Sequence, residues 1–424
     1  MPHEQLHAPR LARLTWAIYL AASWTWCIGM FLPAILDRDF GPLSFLAFAI
    51  PNVLGAAAMG WVLARPGKSE ALVARHRPAM RAFSLVTIAF HGVFLALVVA
   101  PLARVADAEP IVPLLYAGPP LLAAIGPERA WAALAYAASL ACLALWVVTG
   151  ARATIPDVEV MARSIELSRL PAAHVLPLAG VCTLGFLLCP YLDLTFHRAR
   201  QAQAAGAARL SFTIGFGVLF ALMILFTAAY APVFWETYRP GAVLPPRSTL
   251  LLVLVHLGVQ TALTTALHLR ALGRANAVAP SRLNAWNAGP VALLLAIAGA
   301  ELYANVGPAY ARGLAPPVSD PKTWYRLFMS FYGLVFPAYA LLVMAPTWRR
   351  GRPTLRHWVV LAFALACAAP AFWLGFIERR SWWLVLGVGA IVLCRGLIRP
   401  PADAAPPAPS PGPGAAPPGP PRSR

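Results

Sequence analysis

Residues 14–36 read LTWAIYLAASWTWCIGMFLPAIL, a run without one Asp, Glu, Lys or Arg. A helix needs about 20 mostly apolar residues to cross a bilayer core, and this run is long enough. Arg10 and Arg13 precede it like the charged end of a signal peptide, and Ala21-Ala22-Ser23 imitates a cleavage site. The apolar stretch nevertheless continues to Leu36, past the length of a signal peptide's apolar region. The segment is read as an uncleaved membrane span, and the rest of the chain repeats the pattern.

Of the 424 residues, 59% are hydrophobic and only 12% are charged. Soluble domains carry about 25% charge. Mean hydropathy is +0.66. The apolar runs predict an all-α membrane protein of about 12 transmembrane helices, at 14–36, 42–64, 82–103, 111–126, 131–149, 174–195, 210–232, 249–269, 284–304, 323–345, 357–377 and 381–398. The fourth is short and carries Pro113, Pro119 and Pro120, the marks of a re-entrant segment. Charge placement requires it to cross.

The net charge is +18, almost all of it arginine, since Lys68 and Lys322 are the only lysines. These residues sit in the breaks between apolar runs, not on a polar face interleaved with aromatics, so nucleic acid is not an expected partner. With all twelve segments crossing, the N-terminus, the loops after even-numbered segments and the C-terminal tail hold 22 basic residues, against 11 on the other side. That bias is the positive-inside signal. It puts both termini in the cytoplasm and the protein in a bacterial-type inner membrane. From Pro400 the chain is rich in Pro, Ala and Gly without hydrophobic periodicity, and residues 399–424 read as a disordered tail.

Signals for chemistry are sparse. The six cysteines lie inside apolar runs with no CxxC pair, which speaks against a disulfide framework or a zinc site. No GxSxG, HExxH, Walker A or GxGxxG pattern occurs, and an enzyme is not expected. His91 and His256 fall mid-segment. On facing helices they would ligate a haem, which makes a haem- or quinone-associated redox subunit the alternative reading. Histidines bonded to neighbouring backbone are the plainer one. Asp193 is the most inward carboxylate, near the cytoplasmic end of segment six.

The sharper signal is where segments are interrupted. The first contains Ser23-Trp24-Thr25-Trp26-Cys27-Ile28-Gly29-Met30-Phe31-Leu32-Pro33, and the sixth contains Gly180-Val181-Cys182-Thr183-Leu184-Gly185, then Cys189-Pro190-Tyr191-Leu192-Asp193. Both pair Cys with a nearby Gly and a following Pro. Gly tolerates unwinding and Pro removes a donor, so both segments are expected to open near the membrane centre, in opposite directions. Ordinary kinks are the bland alternative.

Together these features resemble the LeuT-type inverted repeat of the amino acid–polyamine–organocation superfamily, including its sodium:solute symporter relatives. The resemblance implies a cytoplasmic N-terminus at 1–13, a first repeat of five helices over 14–149, an external loop at 150–173, a second repeat over 174–345 and two added helices over 346–398. It also implies a secondary active transporter of a small organic solute, coupled to sodium and working by alternating access. In that fold a sodium ion lies between the opened first helix and adjacent hydroxyls on the eighth, which matches Thr264 and Thr265; no other cofactor is implied. Substrate contacts would come from the opened backbone at Thr25 to Gly29 and at Thr183 to Gly185, with aromatic lids from Trp24, Trp26, Tyr191 and Tyr332. The expected partners are the substrate and the lipid bilayer. No substrate-specific motif is visible, and a transporter-like sensor shares every one of these features.

Overall fold

The structure is a computed structural model and describes residues 4–149, 170–237, 244–275, 321–348 and 351–398. It is all-α. The described residues form thirteen helices: α1 (Glu4–Trp24), α2 (Cys27–Phe40), α3 (Leu43–Val62), α4 (Lys68–Val105), α5 (Ile111–Ala124), α6 (Glu128–Val148), α7 (Ala172–Leu192), α8 (Leu194–Gln201), α9 (Ala205–Phe234), α10 (Arg247–Ala275), α11 (Lys322–Met344), α12 (Leu355–Ile377) and α13 (Trp383–Leu397). Eight are long and apolar enough to cross a membrane, or up to nine with the bent pair α1–α2 taken as one span. The chain is therefore a multi-pass membrane protein by its helix composition.

Of the twelve expected segments, eight or nine are matched by such helices among the described residues. Segments four and twelve correspond to the short helices α5 and α13, and segment nine (284–304) lies outside the described residues. The stretch 68–81, expected as a loop for its arginines, is instead the first third or so of α4. Hydropathy alone ends a span where charge begins, whereas a helix continues into water as long as its residues favour it.

Two ends of the bundle are fixed by contacts. At the first, Ser69 Oγ meets His197 Nδ1 at 2.7 Å, and Arg274 and Arg198 both reach Glu128. At the second, Arg247 donates to the Ala106 carbonyl at 2.9 Å, and Arg326 pairs with Asp39. Helix α10 runs from Arg247 to Arg274, that is, from the second end to the first. Helix α5 follows Asp107 and precedes Glu128, so despite its 14 residues it carries the chain across the bundle in the same sense. The first and sixth segments cross oppositely, as the sequence implies: α1–α2 leads to Asp39, whereas α7–α8 leads away from His174, which bonds Ser381, toward Arg198.

Helices meet where side chains vanish. A Cβ at Gly55 would clash with the Phe186 carbonyl, so α3 packs backbone-close on α7. On the outside, Ile50 and Leu54 of α3, Leu134 of α6 and Val359 and Phe363 of α12 are exposed. Apolar side chains facing outward this often call for lipid around them. Several helices carry π turns, each holding one residue more than a regular turn: Leu95–Val99 in α4, Gly215–Phe220 in α9, Phe331–Val335 and Ala340–Met344 in α11, and Trp373–Ile377 in α12.

Candidate functional site: two helix breaks and the groups between them

Helix α1 ends because Thr25 closes it. Its amide and its hydroxyl both donate to the Ala21 carbonyl, at 3.0 and 2.8 Å. Trp26 is then extended (φ −123°, ψ −174°), and α2 starts at Cys27 without a side-chain cap. The two halves bend by 52°. Pro33 lacks an N–H, so the Gly29 carbonyl loses its intrahelical donor as well. The break exposes the negative end of one helix dipole and the positive end of another within a few residues.

Buried side chains bond across the break. Trp24 Nε1–H donates to Asn52 Oδ1 at 2.6 Å, and Tyr325 O–H donates to the Cys27 carbonyl at 2.9 Å. The Trp26 ring sits among Trp24, Phe83, His91 and Tyr332, with the Tyr332 centroid 4.9 Å away. Tyr332 in turn shares a 2.9 Å hydrogen bond with Thr87.

Helix α10 faces this break with Thr264. Its hydroxyl lies 2.8 Å from the Gln260 carbonyl and 3.4 Å from the Ala22 carbonyl. The single hydroxyl proton belongs to the shorter contact, which leaves Thr264 Oγ1 and Ala22 O as two lone-pair-bearing oxygens side by side. Thr265 is committed otherwise: it donates to the Thr261 carbonyl at 2.7 Å and accepts from His91 Nδ1 at 2.8 Å. His91 Nε2 is then left as a buried acceptor without a partner.

The second break lies further along than expected. Thr183 and Gly185 are within regular helix, and Thr183 is exposed on the outer face of α7. Gly185 serves packing, because a Cβ there would stand 2.7 Å from the Tyr332 carbonyl. The chain leaves the helix through a 3-10 turn at Cys189–Leu192, passes Asp193 in extended conformation (φ −83°, ψ 111°), and restarts as α8. Pro190 supplies the missing donor that starts this departure. Tyr191 packs against Trp348, centroids 5.4 Å apart, away from Trp26.

The structure therefore brings together Trp24, Thr25, Trp26, Gly29, Tyr332 and Thr264, and leaves Thr183 and Tyr191 outside that group. The two breaks adjoin each other. Trp24 and Phe196 rings are 4.9 Å apart, and Cys189 Sγ reaches the Tyr332 carbonyl at 3.4 Å. Between α2, α7 and α11 lies a cavity of about 30 Å³ touching Leu32, Cys182, Gly185 and Tyr332. That is room for about two waters. Buried or half-buried ion pairs hold both ends. Asp39 and Arg326 pair with side chains 6% and 3% exposed, and Glu128 holds Arg198 at 3.0 Å and Arg274 at 2.6 Å.

Sequence reasoning missed Asn52, Thr87 and Tyr325 as members. The one readable signal was a single Asn within the apolar run of α3; a hydroxyl in such a run usually bonds its own preceding turn. His91 and His256 turn to different helices. His256 Nδ1 bonds Ser139 of α6 at 2.9 Å, while His91 meets Thr265 and Trp26. Among the described residues no three His, Cys, Asp or Glu side chains converge on a metal position. Set against protein-family models and against curated proteins, the sequence matches none.

Proposed function

We propose that this chain is a secondary active transporter of a small organic solute, driven by sodium and working by alternating access. In this reading the core is a LeuT-like five-plus-five arrangement with α12 and α13 added, twelve spans in all. Both termini are cytoplasmic, in an inner membrane of bacterial type. The observation that carries it is the broken first helix, whose freed Ala22 carbonyl faces the Thr264 hydroxyl. An open helix in lipid is costly unless its backbone groups find partners, and a sodium ion between Ala22 O and Thr264 Oγ1 supplies one. The solute would occupy the space now filled by Trp26 and Tyr332, reached when one or the other ion-paired end opens. Backbone exposed by discontinuous helices near the middle of the membrane is how such transporters hold solute and ion.

Thermal stability of the purified protein in sodium, potassium and choline chloride tests it. The wild type is expected to be stabilised by sodium alone. Thr264→Val keeps the volume, removes the oxygen and should abolish the sodium response while leaving the potassium curve unchanged. A wild-type sodium midpoint in Thr264→Val rejects the ion site.

A further inference from the structure

Among the buried carboxylates of the described residues, Asp193 is the one that no ion pair uses, and it is completely buried. It sits in the extended link between the 3-10 turn and α8. Its Oδ1 accepts two hydrogen bonds from Thr195, from the amide and the hydroxyl, both at 2.7 Å. Its Oδ2 is buried and has no partner. No ion pair among the described residues includes it.

The plain reading is a helix cap. A cap explains Oδ1 and nothing else, since one oxygen suffices for it and Ser, Thr or Asn would serve as well. What remains is a second oxygen that no hydrogen bond or ion pair among the described residues reaches. A carboxylate cannot stay ionised in such a place without a large desolvation cost, and it binds a proton instead. We propose that Asp193 is a proton-binding site, with the proton on Oδ2, which exchanges with water only when the end carrying Glu128, Arg198 and Arg274 opens.

The groups around it fit this assignment. Tyr19 of α1, His268 of α10, Tyr332 of α11 and Cys189 of the turn lie within its electrostatic reach. None of them is a permanent cation. His268 bonds Ser84 through Nδ1 at 3.1 Å, and His197, on the same short helix, is occupied by Ser69 and the Tyr191 carbonyl. Burial accordingly pushes the Asp193 carboxyl above its ordinary range, opposed by the field of His268, the bonds from Thr195 and the Phe196 amide. Release breaks the Oδ2–H bond heterolytically: the electron pair stays on the carboxylate and the proton passes to entering water. In the proposed transporter this makes proton binding a second driving or gating event, distinct from the cation at Thr264. Only that consequence rests on the transporter reading.

The test is infrared spectroscopy of protein labelled with 13C at aspartate carboxyls. At neutral pH the wild type should show the C=O stretch of a protonated carboxyl, and Asp193→Asn, which keeps an oxygen to cap α8, should lack it. The band should disappear on alkaline titration as a single group. Identical spectra of wild type and Asp193→Asn would overturn the proposal and leave Asp193 an ionised cap. If Asp193→Asn does not fold, Asp193→Ser retains a capping oxygen and carries the same comparison. Sodium-dependent stabilisation, measured on the same samples, judges the ion site at Thr264 separately: the infrared band decides Asp193 whichever way sodium behaves.

Discussion

Replacing Asp39 by Ala strips Arg326 of its carboxylate partner in a place where both side chains are almost without solvent, 6% and 3% exposed. A surface pair in the same positions would contribute at most about 1 kcal/mol. Breaking a buried pair from one side costs about 3–5 kcal/mol, because the surviving charge stays desolvated. Removing both charges relieves that cost. Asp39→Ala/Arg326→Met should therefore be less destabilised than the two single variants added together, by a coupling of about 2–3 kcal/mol. The assay is reversible unfolding in mixed micelles, followed by a thiol-reactive dye. Cys27, Cys142, Cys182, Cys189 and Cys394 are buried and report unfolding, while exposed Cys367 sets the baseline. A coupling below about 0.5 kcal/mol would refute the reasoning, because the pair would then behave as independent surface charges and could not hold the end of α2 against α11.

Gly185→Ala places a methyl group against the Tyr332 backbone and should cost about 1–3 kcal/mol, whereas Thr183→Ala, on the outer face, should stay within about 0.5 kcal/mol; equal effects would mean the face of α7 is misassigned. His197 donates from Nε2 to the Tyr191 carbonyl and accepts at Nδ1 from Ser69, a fully satisfied neutral ring, and burial lowers its pKa from 6.5 to about 4. Its contribution is present above pH 6.5 and is lost as pH falls toward about 4. Wild type should lose up to about 3 kcal/mol across that window, and His197→Gln should flatten the loss; parallel pH curves would argue against it. Cysteines placed at Glu70 and Ala204, both exposed near the Ser69–His197 contact, should be labelled from the same side of the membrane. Labelling from opposite sides would contradict the passage of α5 across the bundle.

Much of this architecture was legible in the chain. The run at 14–36 announced a span, and the opening expected over Thr25 to Gly29 falls at Thr25 and Trp26 alone, with Gly29 and Pro33 already inside α2. The sixth segment was harder, because its sequence offers two places to open. Gly185 and Pro190 look alike as helix breakers, yet Gly185 is there to admit the Tyr332 backbone, and Pro190 is where the helix ends. A glycine's purpose depends on what lies against it, and that neighbour is more than a hundred residues away. The pairing of Trp24 with Asn52 and of Thr87 with Tyr332 was unreadable for the same reason. The expected two-hydroxyl pair on α10 divides. Adjacent residues on a helix point about 100° apart, so Thr264 faces α1 while Thr265 is taken by His91.

The wide turns have a mechanical consequence. Each stores one residue beyond what a regular helix of that length needs, and the surplus can migrate. If the π turn at Phe331–Val335 passes its extra residue toward the one at Ala340–Met344, the intervening Phe336–Tyr339 rotates by about 100° without net loss of backbone hydrogen bonds. Tyr332 stands in the first of these turns, against Trp26. A helix built this way works like a ratchet with slack already threaded into it: the segment between the two wide turns can turn while both ends of the rod stay where they are.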